Sequence, residues 1–195
     1  MKFVRQRRRP LLILGAVGLL VLAAGLAVFK PWLLLVDVEV DDEVPVVAAA
    51  PAAPEAGGAE AGGTDAVADP TAQGDSGAAV VVSSGTFISH EHETSGTASI
   101  VRHPDGSHQL VLENLETSNG PDVRVWLSAG PVVEGRDGWF TAGEHEHLDV
   151  APIKGNRGNQ VYDLPEGFDP SVWPTVDLWC EDFSVSFGAA ALEQP

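Results

Sequence analysis

The chain has 195 residues and a formal net charge of −17, from 11 bases against 28 acids, with a single cysteine. That length holds one domain with extensions rather than two full domains, and so acidic a body repels phosphate backbones, which excludes nucleic acid as a partner. One cysteine excludes an intramolecular disulfide.

The charge is unevenly spread. Residues 1–30 carry +6, residues 31–84 carry −10 and residues 85–195 carry −13. In the basic tail, residues 1–10, Arg5, Arg7, Arg8 and Arg9 directly precede Leu11–Phe29, nineteen residues without a charged or polar side chain. As a helix rising ~1.5 Å per residue, that segment covers ~28 Å, close to the ~30 Å hydrocarbon core of a bilayer. Clustered bases ahead of a first apolar segment hold that end in the cytoplasm. The expectation is a transmembrane signal anchor at 11–29, with the lipid bilayer as its partner. The protein would then be a single-pass cell-membrane protein, cytoplasmic at its N-terminus and extracytoplasmic beyond the anchor. Lys30 and Trp32 suit the far interface. A cleaved signal peptide is the competing reading, because Gly25-Leu26-Ala27 has a small-x-small pattern. The apolar run, however, exceeds the ~7–15 residues of a signal core.

Residues 30–84 read as an extracytoplasmic linker. From Val44 to about Ser84 the composition is dominated by Ala, Gly, Pro, Asp and Glu, with no aromatic residue. Such a stretch buries too little apolar surface to offset ordering entropy and is expected to be mostly disordered. About 40 flexible residues have an r.m.s. span of ~35 Å.

From Gly85 onward short apolar runs are split by turn residues. The expected strands are Thr86–Glu91, Thr97–Arg102, Gln109–Leu115, Val123–Ser128, Glu146–Val150, Gln160–Leu164, Thr175–Cys180 and Phe183–Gly188. His103-Pro104-Asp105-Gly106-Ser107 predicts a hairpin turn, with Pro fixing φ and Gly accepting positive φ. Alternation puts Val123, Val125 and Leu127 on one face, and Val176, Leu178 and Cys180 on one face opposite Asp177 and Glu181. The apolar parity changes near Glu181-Asp182, which predicts a bulge or bend there. No window of ten residues carries a helical stripe. The fold class is therefore all-β, a small β-sandwich-like domain over 85–192.

These residues resemble the DM-13 domain family, the small module also carried by animal Skeletor-type proteins. The matching stretches are Gly85-Thr86-Phe87, His92 to Ala98, Asn119 to Ser128, Ile153 to Tyr162 with Leu164-Pro165, and Leu178-Trp179-Cys180 leading to Phe183-Ser184-Val185 and Phe187-Gly188. Together with the apolar segment and Phe29-Lys30-Pro31-Trp32, they resemble bacterial members that carry the domain on a signal anchor. The resemblance implies a β-sandwich-like fold and an electron-transfer role resting on one Cys, which falls on Cys180.

Cys180 has three readings: a small buried hydrophobe, a cofactor ligand or redox thiol, and an intermolecular disulfide partner. Its neighbours Glu181 and Asp182 raise rather than lower a thiol pKa, which disfavours a bare thiolate. A haem or a transition metal, held by Cys180 and His92 in the cofactor-binding reading, would remove that objection. His90 and His92, and His145 and His147, each have i, i+2 spacing, which on a strand puts both rings of a pair on one face. The four are candidate zinc or copper ligands; the plainer reading is solvated surface histidines. Asn156, Asn159 and Gln160 have two readings, a recognition loop and, favoured, a turn whose amides bond backbone groups.

No nucleophile elbow, phosphate loop or dinucleotide fingerprint occurs, which argues against a conventional enzyme. The function expected is a membrane-anchored redox module centred on Cys180. The alternatives are a non-catalytic cell-envelope module contacting a protein or glycan, and metal capture by the His-x-His pairs.

Overall fold

A computed structural model describes residues 3–29, 36–47 and 78–195. The expected disordered stretch between 48 and 77, and Lys30 and Trp32 at the expected membrane interface, lie outside the described residues.

The transmembrane anchor is corrected. A helix, α1, does run over Phe3–Phe29. Yet no helix among the described residues is long and apolar enough to cross a membrane. α1 begins ahead of the basic run, so its backbone takes in Arg5, Arg7, Arg8 and Arg9. The bilayer as partner, the single-pass topology and the membrane-anchored function are corrected with it.

Nine strands follow: β1 Glu39–Asp41, β2 Val80–Ser89, β3 Ser95–Arg102, β4 His108–Glu116, β5 Val123–Ser128, β6 His147–Pro152, β7 Arg157–Asp163, β8 Thr175–Cys180 and β9 Val185–Ala191. They form one sheet in the order β1-β7-β4-β3-β2-β9-β8-β5-β6. The β1–β7 pairing is parallel and the others are antiparallel. A two-sheet sandwich was the expectation, and it too is corrected, because β2 belongs to both halves. Val80–Thr86 pair with β3, while Phe87–Ser89 pair with β9. One continuous sheet therefore bends at β2 and closes toward itself as a mostly-β, half-barrel-like domain. At the bend a Cβ on Gly85 would lie 2.0 Å from the Ala191 carbonyl oxygen, so only glycine lets β2 pass the end of β9.

The core fills the space between the two halves. Ala98, Ile100, Leu110 and Leu112 come from one half, and Val125, Leu127, Val176, Leu178 and Phe187 from the other. The strand period of two selects these positions, and the opposite face of each strand looks outward. The hairpin between β3 and β4 forms as expected, with the Gly106 N–H donating to the His103 carbonyl and Gly106 at φ 85°. The parity change after Cys180 is a turn over residues 181–184, with Ser184 at φ 51°. Phe183 falls in this turn and is 51% exposed instead of starting β9. A true register shift sits within the β8–β9 ladder, between Asp177 and Trp179.

β1 lies inside the stretch read as linker. It is held by the β7 backbone and by Asn156, whose Oδ1 accepts from the Val38 N–H at 2.7 Å and whose Nδ2 donates to the Thr117 carbonyl at 2.9 Å. Gln160 Nε2 donates to the Gly155 carbonyl at 2.8 Å, and Asn159 Oδ1 accepts from the Asn114 N–H at 2.9 Å. These amides bond the backbone, as expected, but Asn159 and Gln160 do so from within β7 and not from a turn.

Candidate functional site

β8 is buried on both faces along its whole length. Val176, Leu178 and Cys180 point into the central core, while Thr175, Asp177 and Trp179 point outward. Cys180 is a free cysteine, 0% exposed, with Val123 on β5 and Val185 on β9 as its cross-strand partners. Burial pushes its thiol above the usual range; hydrogen bonds from the backbone, the Phe183 one first, offset part of that rise. A sealed, protonated thiol is a poor nucleophile.

His92 lies beyond the end of β2. Its ring meets the Phe187 ring edge-on at 3.9 Å, and its Nε2 is 2.8 Å from the Glu91 carboxylate. Phe187, the core residue that His92 touches, belongs to the same buried cluster as Cys180. The His-x-His pairs do not act as pairs. Residues 90–92 form a bend, not a strand. His90 turns inward to Ser186 and Val133, whereas His92 turns to Phe187. His145 closes a 3-10 helix over Arg136–Glu144 and bonds the Thr141 carbonyl, while His147 opens β6 and stacks on Trp126. Among the described residues no group of three His, Cys, Asp or Glu is placed to hold a metal ion.

The outer face of β5, β8 and β9 carries an arrangement that sequence reasoning missed. Trp126 on β5 and Trp179 on β8 stack at 4.9 Å between ring centroids and 17° between planes. His147 stacks on the far side of Trp126 at 3.6 Å and 8°. The two indoles are 4% and 5% exposed, and His147 is open to solvent. The 3-10 helix covers this face. Ala142 packs with both indoles, and a Cβ on Gly143 would meet the Trp179 ring at 2.7 Å, which explains the small residues there.

Beside the indoles runs a buried polar chain. Asp177 is 2% exposed, and burial pushes its carboxyl up to about 7, against a hydrogen bond with Ser186 that pulls it down. Ser186 Oγ is 2.7 Å from His90 Nδ1, and His90 Nε2 is 3.1 Å from the Val133 carbonyl oxygen. Burial lowers the His90 pKa. Two proton arrangements satisfy the whole chain. In the neutral one, the Asp177 O–H donates to Ser186, the Ser186 O–H donates to His90 Nδ1, and His90 Nε2–H donates to Val133. In the other, the same proton sits on His90, whose Nδ1–H donates to Ser186, which donates to an ionised Asp177. The chain thus carries one proton between two seats.

Two buried atoms next to it, Trp126 Nε1 and Asp177 Oδ1, have no hydrogen-bond partner among the described residues. Trp126 and Asp177 are directly opposite each other in the β5–β8 ladder. An orphaned donor and an orphaned acceptor each cost ~1–3 kcal/mol, and being unpartnered the two are not bonded to one another.

With this geometry in place, comparison with protein families finds one match, described as "Electron transfer DM13", over residues 86–192. The chain belongs to this DM13 family. The match spans the sheet from within β2 to just past β9, so the DM13 unit is the half-barrel itself. No match was found among curated proteins or among solved structures. A haem or metal at Cys180 does not fit the residues of this DM13 domain. The sulfur lies wholly within a packed apolar cluster, with valines across both ladders and no gathered set of ligands among the described residues.

Proposed function

We propose that this domain transfers electrons one at a time, with Cys180 as a sequestered redox centre that exchanges electrons through the protein and not by direct thiol contact. The observation that carries the reading is the family match over residues 86–192, from the end of β2 through β9, to a family described by electron transfer. The burial of Cys180 supports the mode. A fully enclosed thiol whose pKa is raised has neither the access nor the thiolate fraction for thiol–disulfide exchange. In the oxidising step Cys180 loses one electron to an outer-sphere acceptor and its thiol proton to the Asp182 carboxylate, whose charge already bears on the thiol, and from there to solvent; reduction returns both.

The test is anaerobic stopped-flow consumption of hexachloroiridate(IV) by the full chain. The expected result is a kinetic phase that Cys180→Ser removes while the circular dichroism of the sheet is retained. The same phase in the variant, or none in the native chain, overturns the reading.

A further inference from the structure

We propose that Trp126 and Trp179 form a one-electron relay on the outer face of the β5–β8–β9 sheet, reached from the surface at His147, with Asp177 accepting the indole proton. The proposal rests on the electron-transfer reading above and deepens it by giving the route.

Four observations converge on it. The rings of His147, Trp126 and Trp179 stack in series, at 3.6 Å and then 4.9 Å, from an exposed histidine to a buried indole. Trp179 immediately precedes Cys180 in the chain, so the inner end of the stack lies one peptide from the buried sulfur, on the opposite face of the same strand. Indole is among the most readily oxidised side chains, and near-parallel stacking shares the resulting charge between neighbouring rings. An oxidised indole is also a strong N–H acid, so electron loss is completed only where the proton has an acceptor. Trp126 Nε1 and Asp177 Oδ1 are each without a hydrogen-bond partner among the described residues, so they are not bonded to one another at rest, but they belong to residues directly opposite in the ladder, and the transfer needs a side-chain shift that brings donor to acceptor. Packing alone does not call for a buried carboxyl at this point, since buried indole and carboxyl groups ordinarily find partners. The chain from Asp177 through Ser186 to His90 offers the Asp177 proton a second seat at His90 Nδ1; burial of the imidazole disfavours that seat, so the carboxylate that takes the indole proton is the minor form.

The step balances as follows. Trp126 gives one electron to an outer-sphere one-electron oxidant docked at His147. Its Nε1–H bond breaks, the proton passes to the Asp177 carboxylate, and a neutral indolyl radical remains. A one-electron reductant supplies an electron through Trp179, the proton returns from Asp177, and Trp126 is restored.

Flash–quench oxidation of the full chain with a ruthenium tris-bipyridine sensitiser tests this without reference to Cys180. Transient absorption distinguishes the indole radical cation from the neutral radical. The native chain is expected to form the neutral radical. Trp126→Phe, which keeps an aromatic ring in place, is expected to reduce that yield at least fivefold. Asp177→Asn is expected to leave the cation at least tenfold longer-lived. His147→Ala changes an exposed side chain, so the fold survives, and is expected to slow radical formation severalfold. Radical yields unchanged in Trp126→Phe, or a cation in Asp177→Asn that deprotonates at the native rate, overturn the proposal. A native Trp126 radical without a Cys180-dependent phase in the hexachloroiridate experiment would instead reject the Cys180 centre and leave the relay standing.

Discussion

Asp177 is the residue whose environment departs furthest from its sequence reading. Alternation places it correctly on the face opposite Leu178 and Cys180, but alternation does not show that the outward face is covered. It is enclosed, and its carboxyl is pushed from the ordinary 3.8 to about 7 by burial. The linkage sign follows. Between those two values the folded chain holds a proton that the unfolded chain has released, so the contribution is present below about pH 4 and is lost as pH rises through about 7. The difference in unfolding free energy between the native chain and Asp177→Asn is therefore expected to fall by a few kcal/mol across that window, measured by urea denaturation. His90 works in the opposite sense, because burial keeps it neutral, and comparison with the variant separates the two. A difference that does not change with pH would show that Asp177 is ionised and solvated. Cys180 was legible in a way Asp177 was not: its phase with Val176 and Leu178 placed it in the core, where it lies.

At the scale of elements, the strands that read best were those whose alternation is least interrupted. β5 and β8 match their expected bounds at both ends. β2 begins at Val80, five residues before the expected domain start, because Val80–Val82 adjoin an Ala- and Gly-rich stretch that masks them. β1 has one apolar residue in three and owes its existence to β7 and Asn156, both far away in sequence. The 3-10 helix over Arg136–Glu144 could not be read, since it has no apolar stripe; it is shaped by the indoles beneath it. That dependence can be checked. Gly143→Val would drive a side chain into Trp179 and is expected to destabilise the domain by ~1–3 kcal/mol, with the near-ultraviolet circular dichroism of the tryptophans altered. An unchanged spectrum and melting temperature would mean that the helix does not bear on the stack. The His-x-His pairs misled for a related reason: equal spacing puts two rings on one face only if both lie on a strand, and here 90–92 is a bend and 145 caps a helix.

For the whole molecule, strand content was legible, because period-two patterning and turn chemistry are local. Its closure was not. Whether strands make two sheets or one depends on which partners a single long strand takes at its two ends, and β2 takes β3 at one and β9 at the other. That bend produces a sealed core holding Cys180 and a separately covered outer face holding the indoles and the Asp177–Ser186–His90 chain. An electron-transfer role therefore requires that a sulfur closed to reagents still exchange electrons. The most direct measurement applies both probes to one folded sample of the full chain: labelling with a bulky maleimide, and protein-film voltammetry alongside Cys180→Ser. The expected result is no labelling until the chain is unfolded, together with a one-electron wave in the native chain that Cys180→Ser abolishes. Labelling of the folded chain at the rate of the unfolded one, or an identical wave in the variant, would contradict it.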